Sequence, residues 1–196
     1  MLSVYLLRHG ETPYNADNNR YCGRTDIELT TKGIMQAQGI KSQLDGMHID
    51  AVYSSPLKRA KHTAQLATGR DPVADQRLIE IDFGNWENKT KDEFIVENPD
   101  LWYNWIMDPA NTKAGGTGEN GSTIVARIDS FYNEMLERHA NQTIVVVGHN
   151  GINRLFLAFK LGMPLNKYRS IFQENSAITL FELDEKGEIT LKKLNA

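Results

Sequence analysis

One cysteine, Cys22, in 196 residues leaves no internal disulfide to form, so a hydrophobic core must hold the fold, and a chain of this length can bury one unaided. No run approaches the roughly 18 consecutive apolar residues of a membrane span. The N-terminus opens on a strand-like segment instead of a basic stretch followed by a long apolar one, so a soluble, cytoplasmic protein is expected. Charge of one sign is lacking too: 22 Lys and Arg stand against 25 Asp and Glu, a net charge of -3, which argues against a polyanion-binding surface. Neither a nucleic-acid nor a membrane partner is expected. The five histidines, His9, His48, His62, His139 and His149, include no close pair with metal-ligand spacing, and no acidic residues cluster around them. No metal or other cofactor is expected. No repeat, low-complexity tract or linker divides the chain, so one domain over residues 1–196 follows. Nothing in the pattern specifies an oligomeric state.

What is present is alternation of strand-like and helical stretches. The continuous apolar runs Val4–Leu7 and Ile144–Val147, with Ala51-Val52-Tyr53 between them, read as strands buried on both faces of a parallel sheet. Thr31–Leu44 and Pro56–Ala67 read as crossover helices, the second with Pro at a favoured first-turn position. Ser122–His139 spaces Val125, Ile128, Phe131 and Met135 at helical intervals, and Gly151–Leu161 does the same with Ile152, Leu155, Phe156 and Phe159. Ala177–Leu183 and Glu188–Leu194 flank a turn containing Gly187, a hairpin signal. The predicted fold class is α/β, a three-layer α/β/α arrangement with a mostly parallel central sheet and an antiparallel edge. Residues 85–120 are predicted to form a helical cap insertion, aromatic at Phe94, Trp102, Tyr103 and Trp105.

Ligands of open α/β sheets bind beyond the carboxyl ends of the strands, which directs attention to the residues just after each apolar run. Arg8 and His9 run out of the first strand into Gly10. Arg59 falls in the early turns of the helix after the Tyr53 strand, Glu80 lies within Leu78–Gly84, and His149 follows the Ile144–Val147 strand. A neutral imidazole can attack a phosphoryl group while a neighbouring guanidinium neutralises its oxygens with a planar fork of donors. Capping of a strand end is the ordinary explanation for any one of these residues. Their joint placement is not readily explained that way.

Arg8-His9-Gly10-Glu11-Thr12 with Asn15, then Tyr21–Asp26, Ser54–Ala60, Glu80 ahead of Phe83-Gly84-Asn85-Trp86-Glu87, and Gly148-His149 together resemble the histidine phosphatase superfamily in its phosphoglycerate-mutase-like branch. The likeness covers nearly the whole chain. It implies that His9 is a nucleophile forming a phosphohistidine, that Arg8, Arg59 and His149 surround the phosphoryl oxygens, and that Asn15 donates a further hydrogen bond. Glu80 matches the acid position, which would protonate the leaving group and then activate water. Cys22 and Gly23 fall in the loop over the phosphate site. Asn150 stands where the family usually has glycine after the second histidine, at a backbone contact to phosphate. The flanking guanidinium groups of Arg8 and Arg59 should keep the His9 imidazole neutral.

The resemblance leaves the reaction open between a phosphatase, a phosphoglycerate mutase and a non-catalytic phosphate-binding module. No pocket residue is missing, which disfavours the last. Between Asp82 and Val125 the only basic residues are Lys89, Lys91 and Lys113, so the paired arginines with which mutases of this family hold a carboxylate are lacking there, and hydrolysis of a small phosphate ester is expected. The Tyr21–Asp26 segment, Trp102 with Trp105, and the chain length are similar to α-ribazole 5′-phosphate phosphatases. Gly116–Gly121 spells a dinucleotide-type glycine pattern but follows no strand, so it reads as a loop in which Asn120 stands for the family's serine and Glu119 is structural.

Overall fold

Strands that are apolar on both sides need helices over both faces of their sheet, and the computed structural model, which describes residues 1–196, has that arrangement. Strands β1 (Leu2–Arg8), β2 (Ala51–Ser54), β3 (Val73–Ala74), β4 (Thr143–Gly148), β5 (Ile178–Leu183) and β6 (Ile189–Lys193) form one sheet in the order β3-β2-β4-β1-β5-β6. The β3-β2, β2-β4 and β4-β1 pairings are parallel, while β1-β5 and β5-β6 are antiparallel. The predicted fold class therefore holds, including the antiparallel edge.

The helices are α1 (Pro13–Ala16), α2 (Thr31–Leu44), α3 (Lys58–Thr68), α4 (Lys91–Glu97), α5 (Pro99–Met107), α6 (Gly121–Arg138) and α7 (Asn150–Lys160). The two-residue period of the strands sorts their side chains between two layers. Leu7, Val52, Val145 and Val147 pack with Ile40 and Leu44 of α2 and with Ala60, Ala64 and Ala67 of α3. Val4, Leu6, Ile144 and Val146 pack on the opposite face with Ile124, Ile128, Phe131 and Met135 of α6 and Ile152, Leu155 and Phe156 of α7.

Two features depart from the sequence reading. Helix α3 begins at Lys58, with Pro56 in the preceding turn, where the Ser55 hydroxyl accepts from the Leu57 N–H at 3.3 Å. The short strand β3 consists of two exposed residues and offers no periodicity to detect. The aromatics of the middle section are continuous with the main core: Trp86, Phe94 and Trp105 are buried in it, Trp86 stacks on Phe94 at 4.7 Å, and the Trp105 indole donates to the Tyr168 hydroxyl at 3.3 Å. Asn120 caps α6 by accepting from the Thr123 N–H at 2.9 Å, a role its amide oxygen fills as well as a serine would. No helix is long and apolar enough to cross a membrane.

Candidate active site

Because β1 and β4 are parallel neighbours with Arg8 opposite Gly148, the residues following each strand emerge side by side. His9 and His149 are those residues, with ring centroids 5.0 Å apart. His9 Nδ1 lies 2.7 Å from the carbonyl of Gly10. A carbonyl only accepts, so Nδ1 carries the proton and Nε2 keeps its lone pair. The turn that fixes this ring is crowded: a Cβ on Gly10 would lie 2.5 Å from the Gly33 carbonyl of α2, and the Gly10 N–H donates to Thr63 Oγ1 of α3 at 3.0 Å.

Arg59, in the first turn of α3, is fully buried, and its guanidinium is held by protein acceptors. Nη1 donates to the Thr25 carbonyl at 2.8 Å, Nη2 to the carbonyls of Gly23 at 2.8 Å and Cys22 at 3.3 Å, and Nε to His149 Nδ1 at 3.3 Å. The last bond makes Nδ1 of His149 the acceptor and places its proton on Nε2, a buried atom with no protein partner. Arg8 has a similar feature. Its Nη1 donates to the Gln173 carbonyl at 2.8 Å while its buried Nε has no acceptor. Two buried donors without acceptors beside a free imidazole lone pair make a site suited to an oxyanion.

Glu80 sits at the N-terminus of α7. Its Oε1 accepts from the N–H groups of Ile81 at 2.9 Å and Ile152 at 3.1 Å, and Oε2 accepts from Gly151 at 3.0 Å, leaving Oε2 a second lone pair. Asn15 is oriented in the same manner, since its Oδ1 accepts from the Thr12 N–H at 3.1 Å and from Asn175 Nδ2 at 3.3 Å. Arg8, His9, Asn15, Cys22, Glu80 and Asn150 all line one cavity of about 740 Å³. Arg59 and His149 lie beneath it. Gly23 is taken out of it: its N–H donates to the Glu87 carboxylate at 3.0 Å, and its carbonyl is bound by Arg59. Asn150 opens α7, where its side-chain Oδ1 is buried without a partner.

Burial, then the Arg59 and Arg8 guanidinium groups, hold the His9 imidazole well below the ordinary histidine range, against a smaller opposing effect of its bond to Gly10. His149 is held down in the same way by burial, Arg59 and its neighbour His9. For His9 the larger cause is burial, with the flanking charges second. Burial and Arg154 lower Arg8 to about 10, which leaves it cationic at neutral pH. Burial pushes the Cys22 thiol up to about 11, so no thiolate forms there near neutrality. No group of three or more His, Cys, Asp and Glu side chains is placed to hold a metal ion.

Several residues at the site were given no catalytic or phosphate-binding role from the sequence. Glu87 pins the 22–25 loop through Gly23, through the Thr25 N–H at 3.1 Å and through the Thr25 hydroxyl at 2.6 Å. Asn175 donates to the His9 carbonyl at 3.0 Å, and the Ser176 N–H to the Arg8 carbonyl at 3.0 Å, so the segment before β5 holds the turn from outside. Glu119 is structural, as expected, accepting from the Asp82 N–H at 3.0 Å and from Arg127 Nε at 3.0 Å. Besides Lys91, arginines from outside the Asp82–Val125 stretch reach the cavity. Arg154 of α7 and Arg169, in the 3-10 turn Leu165–Ser170, line the same cavity as His9.

Compared with known proteins, residues 4–196 match the family described as the histidine phosphatase superfamily (branch 1). The chain is 32% identical to phosphoserine phosphatase 1 of Hydrogenobacter thermophilus, covering 98% of this chain and 92% of that one. It is 30% identical to the adenosylcobalamin/alpha-ribazole phosphatase of Escherichia coli, covering 100% and 96%. Among solved structures, a phosphoserine phosphatase mutant of Entamoeba histolytica in complex with phosphoserine superposes with a TM-score of 0.90 at 29% identity, over 100% of this chain and 98% of that one.

Proposed function

The chain belongs to branch 1 of the histidine phosphatase superfamily and is a histidine phosphatase, and on that premise we propose that it hydrolyses a small phosphomonoester through a phosphohistidine on His9, without a metal ion. The observation that carries this reading is the tautomer set at the site. The Gly10 carbonyl leaves His9 Nε2 with a lone pair, while the buried donors of Arg8 Nε and His149 Nε2 face no protein acceptor.

In the first step His9 Nε2 attacks phosphorus and the ester P–O bond breaks. Arg8, His149 and the Asn15 amide take the three non-bridging oxygens, and Arg59 acts through His149 and the 22–25 loop. Glu80, in its acid form, gives a proton to the departing oxygen through Oε2. In the second step Glu80, now a carboxylate, takes a proton from water as that water attacks the phosphohistidine. Inorganic phosphate leaves and His9 recovers its lone pair. The substrate falls among small phosphate esters, and α-ribazole 5′-phosphate, acted on by the Escherichia coli relative, is one candidate.

Rapid-quench phosphate release with trapping of the acid-labile phosphoenzyme tests the reading. His9→Ala should form no phosphoenzyme and lose on the order of 10⁴-fold or more in kcat, while Glu80→Gln should accumulate it. A normal burst of phosphate from His9→Ala would end the mechanism. Isomerisation of 3-phosphoglycerate primed by 2,3-bisphosphoglycerate, with little phosphate released, would favour a mutase instead.

A further inference from the structure

The two arginines at the phosphoryl site are held very differently. Arg59 reaches four protein acceptors, whereas the Arg8 side chain reaches one, the Gln173 carbonyl, at 2.8 Å. The buried Arg8 Nε, left for an oxyanion, therefore takes its direction from that single bond. Gln173 lies between the 3-10 turn and β5, buried between two exposed neighbours, Phe172 and Glu174. Its Oε1 accepts from Asn153 Nδ2 of α7 at 3.1 Å, and its Nε2 donates to Thr179 Oγ1 of β5 at 3.1 Å. Asn153 Nδ2 also donates to the Leu7 carbonyl at 3.2 Å, and a Cβ on Gly148 would lie 2.4 Å from Asn153 Oδ1. Because a carbonyl only accepts, the bond to Leu7 fixes which way the Asn153 amide faces, and that in turn fixes the Gln173 amide. All three side chains are buried. Burying amides costs free energy that their bonds only offset, so what a fully satisfied network of this kind adds is fixed geometry.

We propose that Gln173 is a positioning residue for phosphoryl transfer: its clamped amide fixes the carbonyl that aims Arg8 at the phosphoryl oxygens. The inference rests on the phosphatase reading above and adds a residue to that site. Gln173 borders the cavity, but both polar ends of its side chain are taken by protein partners, so it acts through Arg8. On the outer side of the segment, Asn195 accepts from the Glu174 N–H at 3.1 Å and donates to the Phe172 carbonyl at 2.9 Å. Those bonds keep the segment docked when the Gln173 side chain is changed. Loss of the inner clamp then alters the tilt of the carbonyl rather than its attachment, and a displacement of about 1 Å at a group that meets the transition state can cost about 10²-fold in rate.

The test is a double-mutant cycle read on hydrolysis of p-nitrophenyl phosphate. Gln173→Met keeps the length of the side chain and removes both of its hydrogen bonds. It should lower kcat about ten- to a hundredfold. In an Arg8→Met background the same change should alter kcat less than about twofold, because no guanidinium remains to be aimed. Equal losses in the two backgrounds would make Gln173 merely structural and overturn the proposal. Thr179→Val and Thr179→Ser cover the case in which Gln173→Met fails to fold. Valine removes the acceptor of Gln173 Nε2 and should lower kcat several-fold, serine should restore it, and a kcat unchanged by valine would also overturn the proposal. Calorimetric binding of orthophosphate to the four proteins of the cycle needs no turnover and separates the two readings. Weakening by about tenfold only where Arg8 is present supports the positioning role even if no ester is hydrolysed. Unchanged binding, or equal weakening in both backgrounds, removes it even if the phosphohistidine is found.

Discussion

Arg59 donates its Nε–H to Nδ1 of His149 at 3.3 Å, and this bond determines which histidine nitrogen can serve the phosphoryl group. The same guanidinium ties down three carbonyls of the 22–25 loop. Arg59→Met should therefore lower kcat on the order of 10²- to 10³-fold, the usual effect of disordering an oxyanion donor. Arg59→Lys should recover little of it, because a point charge cannot serve a ring nitrogen and three carbonyls at once. Steady-state kinetics of both variants decide this; full recovery by lysine would reduce Arg59 to a source of charge.

His9 and His149 are both held below their ordinary pKa in the folded chain. The sign follows directly. Above pH about 6.5 both are neutral folded and unfolded and contribute no pH dependence, whereas below it the unfolded chain takes up protons that the native site refuses, so stability falls as pH falls. The expected slope is about 1.4 kcal/mol per pH unit for each histidine, in a window above the range where carboxylates titrate. Urea unfolding between pH 7.5 and 5 should show this decline, and His9→Asn should lessen it. An unchanged slope in that variant would contradict the buried neutral imidazole.

A Cβ placed on Gly23 would lie 2.3 Å from the Ile81 carbonyl and 2.6 Å from Glu87 Oε2. Gly23→Ala should cost about 1–3 kcal/mol by overpacking and should loosen Arg59 as the loop moves. Thermal unfolding and kcat measured together check it; a stable variant with normal kcat would show that the loop tolerates displacement.

Asn175 bridges the His9 carbonyl and Asn15 Oδ1. Asn175→Ala leaves the nucleophile and both arginines in place but frees the Asn15 amide to rotate. Stability should drop by about 1 kcal/mol, and KM should rise several-fold with kcat less affected. A fall in kcat with unchanged KM would mean that the bond to the His9 turn matters more than the one to Asn15.

The strands and their chemistry were legible because each depends on local pattern. Val4–Leu7 and Ile144–Val147 read as strands buried on both faces, and two residues beyond each run stands a histidine that the fold brings to the site. Strand β3 was not legible, since a pair of exposed residues is ordered by pairing with β2 and has no pattern of its own. The start of α3 was misplaced because Pro56 suits a helix start as readily as the turn that precedes one.

The sequence by itself determined the sheet, its covering helices and a set of Arg, His and Glu side chains at strand ends, because alternation and periodicity are properties of neighbouring residues. Only the tertiary structure decided the proton positions on His9 and His149, since these are set by the Gly10 carbonyl and by Arg59, which lies 90 positions from His149. The approach of Arg154 and Arg169 to one cavity was likewise invisible in the chain, because it arises only when α7 and the turn before β5 pack around Tyr168. Burial and long-range contact define those states, and neither is a property of a segment read alone.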